Sequence, residues 1–233
     1  MRFTLVKNDK SRKQERHYDL RLQAVRAVPA VPFTSPDLIP VDYTLDLQVI
    51  ASADDCSRVI SNAPPGSWSL TSASASAGGY DFANRLGAGF RFVNVTIPPG
   101  ARVVSAYLTL RCRIAKNGVD DKSRISAEAV DNASAIADDQ DAFDTRWATR
   151  TTARIDWDNI SDWGQNTDKN SPDIKTVIQE IVNRANWVSG NSIVIFWEDF
   201  EDRSIHVAEN WRDAYSYDGS VTYAPKLHVL YSI

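Results

Sequence analysis

The 233-residue sequence predicts an antiparallel β-sandwich with one embedded α-helix and an extended N-terminal arm. Three observations lead there: short β-rich runs punctuated by Gly, Pro and Asn from residue 46 onward, one well-specified helical stripe after Ser171, and a basic, proline-containing start that shows neither pattern. With 43% hydrophobic residues the chain can bury a full core, and a sandwich of this length is often one domain. The organisation that follows is an arm and linker over residues 1–45 and a sandwich domain over residues 46–233.

The arm comes first. Residues 1–26 carry eight Lys/Arg against three Asp/Glu, leaving 18 against 27 for the rest, so a basic arm precedes an acidic body. The start turns strongly charged after Val6, sooner than the apolar run of about 7–15 residues that a secretory signal needs, so neither that export route nor a membrane span is expected. Lys7, Arg12 and Arg16, with Phe3, Leu5, Tyr18, Leu20 and Leu22 as apolar anchors, suit docking on an acidic protein neighbour. The same cations could neutralise phosphates, but docking is preferred and nucleic acid is not the expected partner. Four prolines in "AVPAVPFTSPDLIPVDY" then predict an extended linker, because proline lacks a ladder donor and restrains its predecessor.

The body begins with the strand-like "YTLDLQVIASADD". In "GFRFVNVTIPPGARVVSAYLTLRCRIA", Phe90, Phe92, Val95 and Ile97 predict one strand, "PPG" a turn, and Val103 to Ile114 the next. Tyr107, Thr109 and Arg111 alternate there with Ala106, Leu108, Leu110 and Cys112, giving a wet and a dry face. Asn117-Gly118 suits a positive-φ turn before "RISAEAV", another strand. "DNASAIADDQDAFDTR" reads as an acidic loop. The helix is expected over about 172–185, with Ser171 as cap, Pro172 at its first position and Asp173 facing the positive end of the dipole. Ile174, Val177, Ile178, Ile181 and Val182 form its apolar stripe, and Gly190 stops it before "SIVIFW", continuous enough for a central strand. Its polar face (Lys175, Gln179, Glu180, Asn183, Arg184) reads as solvated, and the helix as a cover for one end or edge of the sandwich. "RSIHVAENW" and "APKLHVLYSI" close the chain as strands.

Candidate chemistry is sparse. Cys56 and Cys112 are the only cysteines and read as buried free thiols, a single bridge being the alternative. His17, His206 and His228 lie far apart in sequence and read as packed or surface residues. The acidic loop offers Asp138, Asp139 and Asp141 as hard oxygen ligands for Ca²⁺, against the simpler reading of a solvated loop, and no other cofactor is expected. Glu198, Asp199, Glu201 and Asp202 in "WEDFEDR" could hold a glycosidase pair but read as a polar hairpin tip. Trp147, Trp163, Trp211 and Tyr215 are candidate glycan-platform or interface aromatics within a C-terminal half rich in Trp and Tyr. No phosphate loop, dinucleotide fingerprint or nucleophile elbow is present.

The order "GFRFVNVTIPPGARVVSAYLTLRC", "ISAEAVDNASAI", "TTARIDWDNISDW", "SPDIKTVIQEIVNRANWVSGNSIVIF" and "SYDGSVTYAPKLHVLY" resembles the DNRLRE-type, carbohydrate-binding-module-like jelly-roll β-sandwich of bacterial surface proteins and phage virion proteins. The resemblance spans about residues 46–233 and implies a jelly roll displayed on an exterior surface. Secreted members usually follow a signal peptide or form arrays, whereas one copy here stands behind a basic arm. The expectation is therefore a non-enzymatic virion structural protein: a capsid decoration, head-fibre or tail component, docked on capsid or tail proteins and homo-oligomeric, with a host-surface glycan as an outward partner. The alternative is a carbohydrate-binding or adhesive module, extracellular or on a cell surface.

Overall fold

A computed structural model describes residues 40–233, apart from residues 64, 65, 82, 119, 162 and 208. The arm residues Phe3, Leu5, Lys7, Arg12, Arg16, Tyr18, Leu20 and Leu22, and His17, lie outside the described residues. Twelve strands follow in chain order: β1 (Asp42–Gln48), β2 (Asp55–Ser61), β3 (Ser67–Ser69), β4 (Ser74–Gly79), β5 (Asn84–Phe92), β6 (Arg102–Ile114), β7 (Arg124–Ala127), β8 (Ile155–Asp156), β9 (Asp168–Asn170), β10 (Ile193–Glu198), β11 (Trp211–Tyr215) and β12 (Lys226–Ser232). Helix α1 (Gln140–Ala148) lies between β7 and β8, and α2 (Lys175–Val182) between β9 and β10. The fold is the all-β, antiparallel, sandwich-like architecture that the sequence predicts.

The strands form one curled sheet in the order β1-β12-β6-β11-β4-β5-β10-β7-β8, with β2 on β5, β3 on β2 and β9 on β6. Every pairing is antiparallel. The branch lies at β5, where Arg85 and Leu86 pair with β4 while Gly87 to Phe92 pair with β10. Gly87 is required there, since a Cβ would sit 2.2 Å from the Phe200 ring. β1 pairs Asp42 with Ser232, so the body opens inside the stretch assigned to the linker, because the last strand needs that partner.

Strand β10 is buried at every position, as its unbroken apolar run predicts. Ile193, Ile195 and Trp197 face the main core, where Trp197 meets Trp157 and Trp163 with centroids 5.6 and 6.2 Å away. Val194 and Phe196 face a second cluster with Cys56, Phe143 and Phe200, which α1 covers. The sequence reading missed α1 because Phe143 is its one buried residue, so no apolar stripe marks it. Cys56 and Cys112 are both buried free thiols, one in each cluster.

The predicted stripe of α2 is fully buried, but the helix starts three residues later than its capping signals suggest. The cause is β6. Strand β12 runs along one edge of it, and the segment before α2 is drawn onto the other. Ser171 accepts the Leu108 N–H instead of capping the helix, Asp173 accepts those of Ala106 and Lys175, and Gln179 accepts that of Val103 at 2.7 Å while donating to the Ala101 carbonyl. β9 then pairs with Thr109 to Arg111. Much of the polar face of α2 therefore grips the protein: Glu180 also accepts the N–H groups of Thr152 and Ala153, and Arg184 pairs with Asp131 at 2.6 Å, while Lys175 and Asn183 are exposed.

Two turns depart from the sequence reading. Residues 203–207, expected in a strand, are irregular ahead of β11, where the Asn210 amide donates to the carbonyls of Asp120 and Ile205. Gly118 is not at positive φ; it is needed for close approach, since a Cβ would lie 2.4 Å from the Glu209 carbonyl oxygen.

Replacing Gln179 with Ala should cost about 1–3 kcal/mol, because it strands a strand-edge N–H. Lys175→Ala on the exposed side should stay within about 0.5 kcal/mol. Urea denaturation of both variants checks this, and equal midpoints would remove the edge-capping role.

Candidate functional site

Strand β11 positions the candidate site. Its side chains alternate: Ala214 enters the core and Arg212 is buried against Asp121 at 2.7 Å, while Trp211 and Asp213 line a groove on the opposite face. The register sets Trp211 across from Gly78 and Asp213 across from Ser76 on β4. Gly78, at φ 118°, leaves no side chain beside the indole, and a Cβ there would lie 2.8 Å from the Trp211 Cα. The floor comes from β4, β5 and β11 and a wall from the β2–β3 hairpin, enclosing about 570 Å³.

A β-bulge aims the polar groups. β11 pairs Asp213 with Ile114 and Ala214 with Cys112, leaving Arg113 as the extra residue of β6. Its guanidinium donates to Ser74 Oγ at 3.0 Å and stands 3.8 Å from Asp213, while Ser74 lies 3.2 Å from Asp213 Oδ2. The Asp213 side chain is 1% exposed, and Oδ1 has no hydrogen-bond partner among the described residues. Burial pushes its pKa up to about 6, against the lowering pull of Ser74, Arg113 and Lys116. Above it, Tyr80 meets Trp211 edge-on at 5.4 Å, and Lys116 covers Trp211 at 4.5 Å.

The acidic tip around Glu198 is a different environment. Glu198 is buried, and desolvation raises its pKa to about 7, offset in part by the Phe200 N–H and the Trp147 indole. Neither Glu198 Oε1 nor Trp147 Nε1 has a partner in good hydrogen-bond geometry. Asp199 accepts the N–H groups of Arg203 and Ser204. Glu201 is held by Arg124, Arg150 and Arg154, and Arg203 ties Asp156 to Asp158. Asp202 pairs with His206. These carboxylates brace the loop after β10.

The remaining predicted residues scatter. Trp163 is buried among Trp157 and Trp197, so its ring is core and not a platform. Trp147 is sandwiched between Phe200 and Arg150, whose guanidinium lies 3.9 Å over the ring. Tyr215 packs on Tyr223 and donates to Asn166. Only Trp211 of the four lines the groove. The three aspartates of the calcium reading have other local partners: Asp138 accepts from the Trp68 indole, Asp139 caps α1 through the N–H groups of Asp141 and Ala142, and Asp141 lies in the first turn of the helix. Among the described residues no group of three or more His, Cys, Asp or Glu side chains could hold a metal. His228 pairs with Asp46 at 2.7 Å and stacks on Tyr107.

The sequence reading missed Tyr80, Arg113 and Asp213. The signal was available in part, since "WRDAY" alternates aromatic and charged residues on a strand. The bulge that brings Arg113 to Asp213 leaves no such mark.

No family model and no curated protein matches the chain. The resemblance of residues 46–233 to the DNRLRE-type module therefore rests on its sequence motifs. Among solved structures, a chain of the one titled "Desmodium yellow mottle tymovirus" aligns over 95% of this chain and 95% of its own, at 8% identity and a TM-score of 0.26. A superposition at that level carries no argument about fold or function. No helix among the described residues is long and apolar enough to cross a membrane.

A carboxyl whose folded pKa lies above its unfolded value binds its proton more tightly in the folded protein. Glu198 therefore adds stability fully below about pH 4.5 and loses it as pH rises through about 7. Glu198→Gln should narrow the gap between urea midpoints at pH 5 and pH 8, with Asp55 and Asp213 leaving a residual slope. An unchanged gap would mean that Glu198 is not desolvated.

Proposed function

We propose that the protein is a non-enzymatic structural component of a virion, a capsid decoration, head-fibre or tail protein whose sandwich is displayed outward while residues 1–45 dock it on a protein lattice. The groove under Tyr80 and Trp211 carries the display half of this reading: it is an open recess lined by aromatic and hydroxyl groups over the buried Asp213, on a body whose acidic tip after β10 is locked to its own arginines. The docking half is supported by the charge partition, eight Lys/Arg against three Asp/Glu in residues 1–26 ahead of an acidic remainder. A binding role also fits the groove better than hydrolysis does. Glycoside cleavage generally uses two carboxyl groups, and Asp213 is the one carboxylate among the described residues lining it.

The partners implied are other virion proteins, further copies of the chain and, on the outward side, a host-surface ligand. The groove equally favours a second reading, a carbohydrate-binding or adhesive module at a cell surface, in which the arm needs no lattice.

The two readings separate on the arm. Reversing Lys7, Arg12 and Arg16 to Glu should weaken binding of the full chain to purified particles of its virus at least about tenfold, and wild-type binding should fall as salt rises. A chain that co-purifies with no particle, or a reversed arm that binds as well, contradicts the virion reading.

A further inference from the structure

Strand β1 ends the sheet, and its outer edge pairs with no strand among the described residues. Val41 and Ile233 exchange both backbone hydrogen bonds across the inner edge, and Val49 donates to the Pro225 carbonyl. Antiparallel alternation therefore turns the N–H and C=O groups of Asp42, Thr44 and Asp46 outward, toward the open edge. The two faces beside that edge differ. On one, Leu45 and Leu47 pack on the core, and the apolar row continues through the exposed Val41, Tyr43 and Ile233. On the other, Asp42, Thr44 and Asp46 are exposed, with Asp46 paired to His228.

An open edge of this kind accepts a further strand, and its side chains select which one. Two β1 edges suit each other poorly, because their pairing gathers Asp42 and Asp46 of each copy on one face with no cation from either strand. The segment ahead of β1 supplies what the edge lacks. In "RHYDLRL", residues 16–22, which lie outside the described residues, Tyr18, Leu20 and Leu22 alternate with His17, Asp19 and Arg21. Antiparallel to β1 with Arg21 opposite Asp42, this segment sets Asp19 opposite Thr44 and His17 opposite Asp46, while Leu22, Leu20 and Tyr18 extend the apolar row beside Val41, Tyr43 and Leu45. A slip of two residues either way puts Asp19 against Asp42 or Asp46, and a slip of one reverses the faces. Pro29, Pro32, Pro36 and Pro40 favour an extended course between the segment and β1. At about 3.1 Å per residue that stretch spans roughly 35 Å, which favours capture by another molecule over return to the same edge.

We infer that residues 16–22 of one copy add as an antiparallel strand to the β1 edge of a second copy. The inference rests on the docking reading of the arm and names its receptor: the acidic neighbour of the basic arm is another copy of the chain. The contact is head to tail, so repeated copies close into a ring or extend as a chain.

The test uses the full chain. Leu20 and Tyr43 meet at a close, non-hydrogen-bonded position in this register, so a chain with Leu20→Cys mixed with one carrying Tyr43→Cys should form a mixed disulfide dimer under mild oxidation. Replacing Tyr43→Cys by Thr44→Cys, on the opposite face, should cut that yield about tenfold. Sedimentation of the unmodified chain should show species beyond the monomer as concentration rises. Thr44→Pro removes an outward N–H and none bonded to β12, so it should weaken association about tenfold or more, with thermal melts confirming the fold. Arg21→Glu should weaken association about threefold, and Asp42→Arg added to it should restore it. A wild-type chain that stays monomeric, or a chain with both Leu20→Cys and Tyr43→Cys that closes its bridge only within itself, overturns the inference. Particle binding separates the two readings: an arm that binds particles without cross-linking overturns this contact and leaves the virion reading, whereas cross-linking without particle binding supports the contact and contradicts the virion reading.

Discussion

Strand β6 imposes the constraint on which the rest of the structure depends. At 13 residues it is the longest strand among the described residues, and with one face in the core its backbone needs partners along both edges. β12 serves one edge from Arg102 to Thr109. The other is covered by a relay from three different structures: Gln179 of α2, the Asp173 and Ser171 side chains before it, and β9. The position of α2, its late start and the course of residues 166–174 all follow from that relay. The far end of β6 receives β11 with a bulge, and this misfit of one residue brings Arg113, Ser74 and Asp213 together.

Two kinds of acidic group result, and their surroundings separate their roles. Asp121 is buried, paired with Arg212 at 2.7 Å and accepting the Ile160 N–H, and the Glu201 carboxylate is shared among three arginines. Such groups hold loops in place. Asp55, Asp213 and Glu198 are buried with one oxygen that has neither a hydrogen-bond nor an ion-pair partner among the described residues. Those of Glu198 and Asp213 are both closed to solvent: Glu198 lies near Trp147 and the Phe200 N–H, whereas Asp213 lies beside Ser74 and the Arg113 bulge.

Much of the fold was legible in the sequence because it is written in periodicity. The period-2 alternation of Tyr107 to Cys112 gave β6, the unbroken "SIVIFW" gave a strand buried on both faces, and the stripe from Ile174 to Val182 gave α2. Where periodicity was silent the reading failed: α1 buries one side chain, and Ser171 served a strand N–H that no local pattern announces. The candidate site was less legible. Trp211 could be picked out as an aromatic on a strand, but Trp163 could not be told apart from it, because burial depends on which strands meet across the core. Tyr80, Arg113 and Asp213 come together through pairings between residues more than 90 positions apart in part, and through a bulge.

The central claim is that the pairing of β11 with the β6 bulge buries Asp213 as a desolvated carboxyl with an unmet acceptor. Its pKa, followed through the side-chain carboxyl ¹³C resonance in a pH titration of the unliganded protein, tests that claim most directly. The account predicts a midpoint near 6, from burial working against the nearby Arg113 and Lys116. A midpoint at or below the ordinary 3.8 would show Asp213 solvated or fully paired, and would contradict the account.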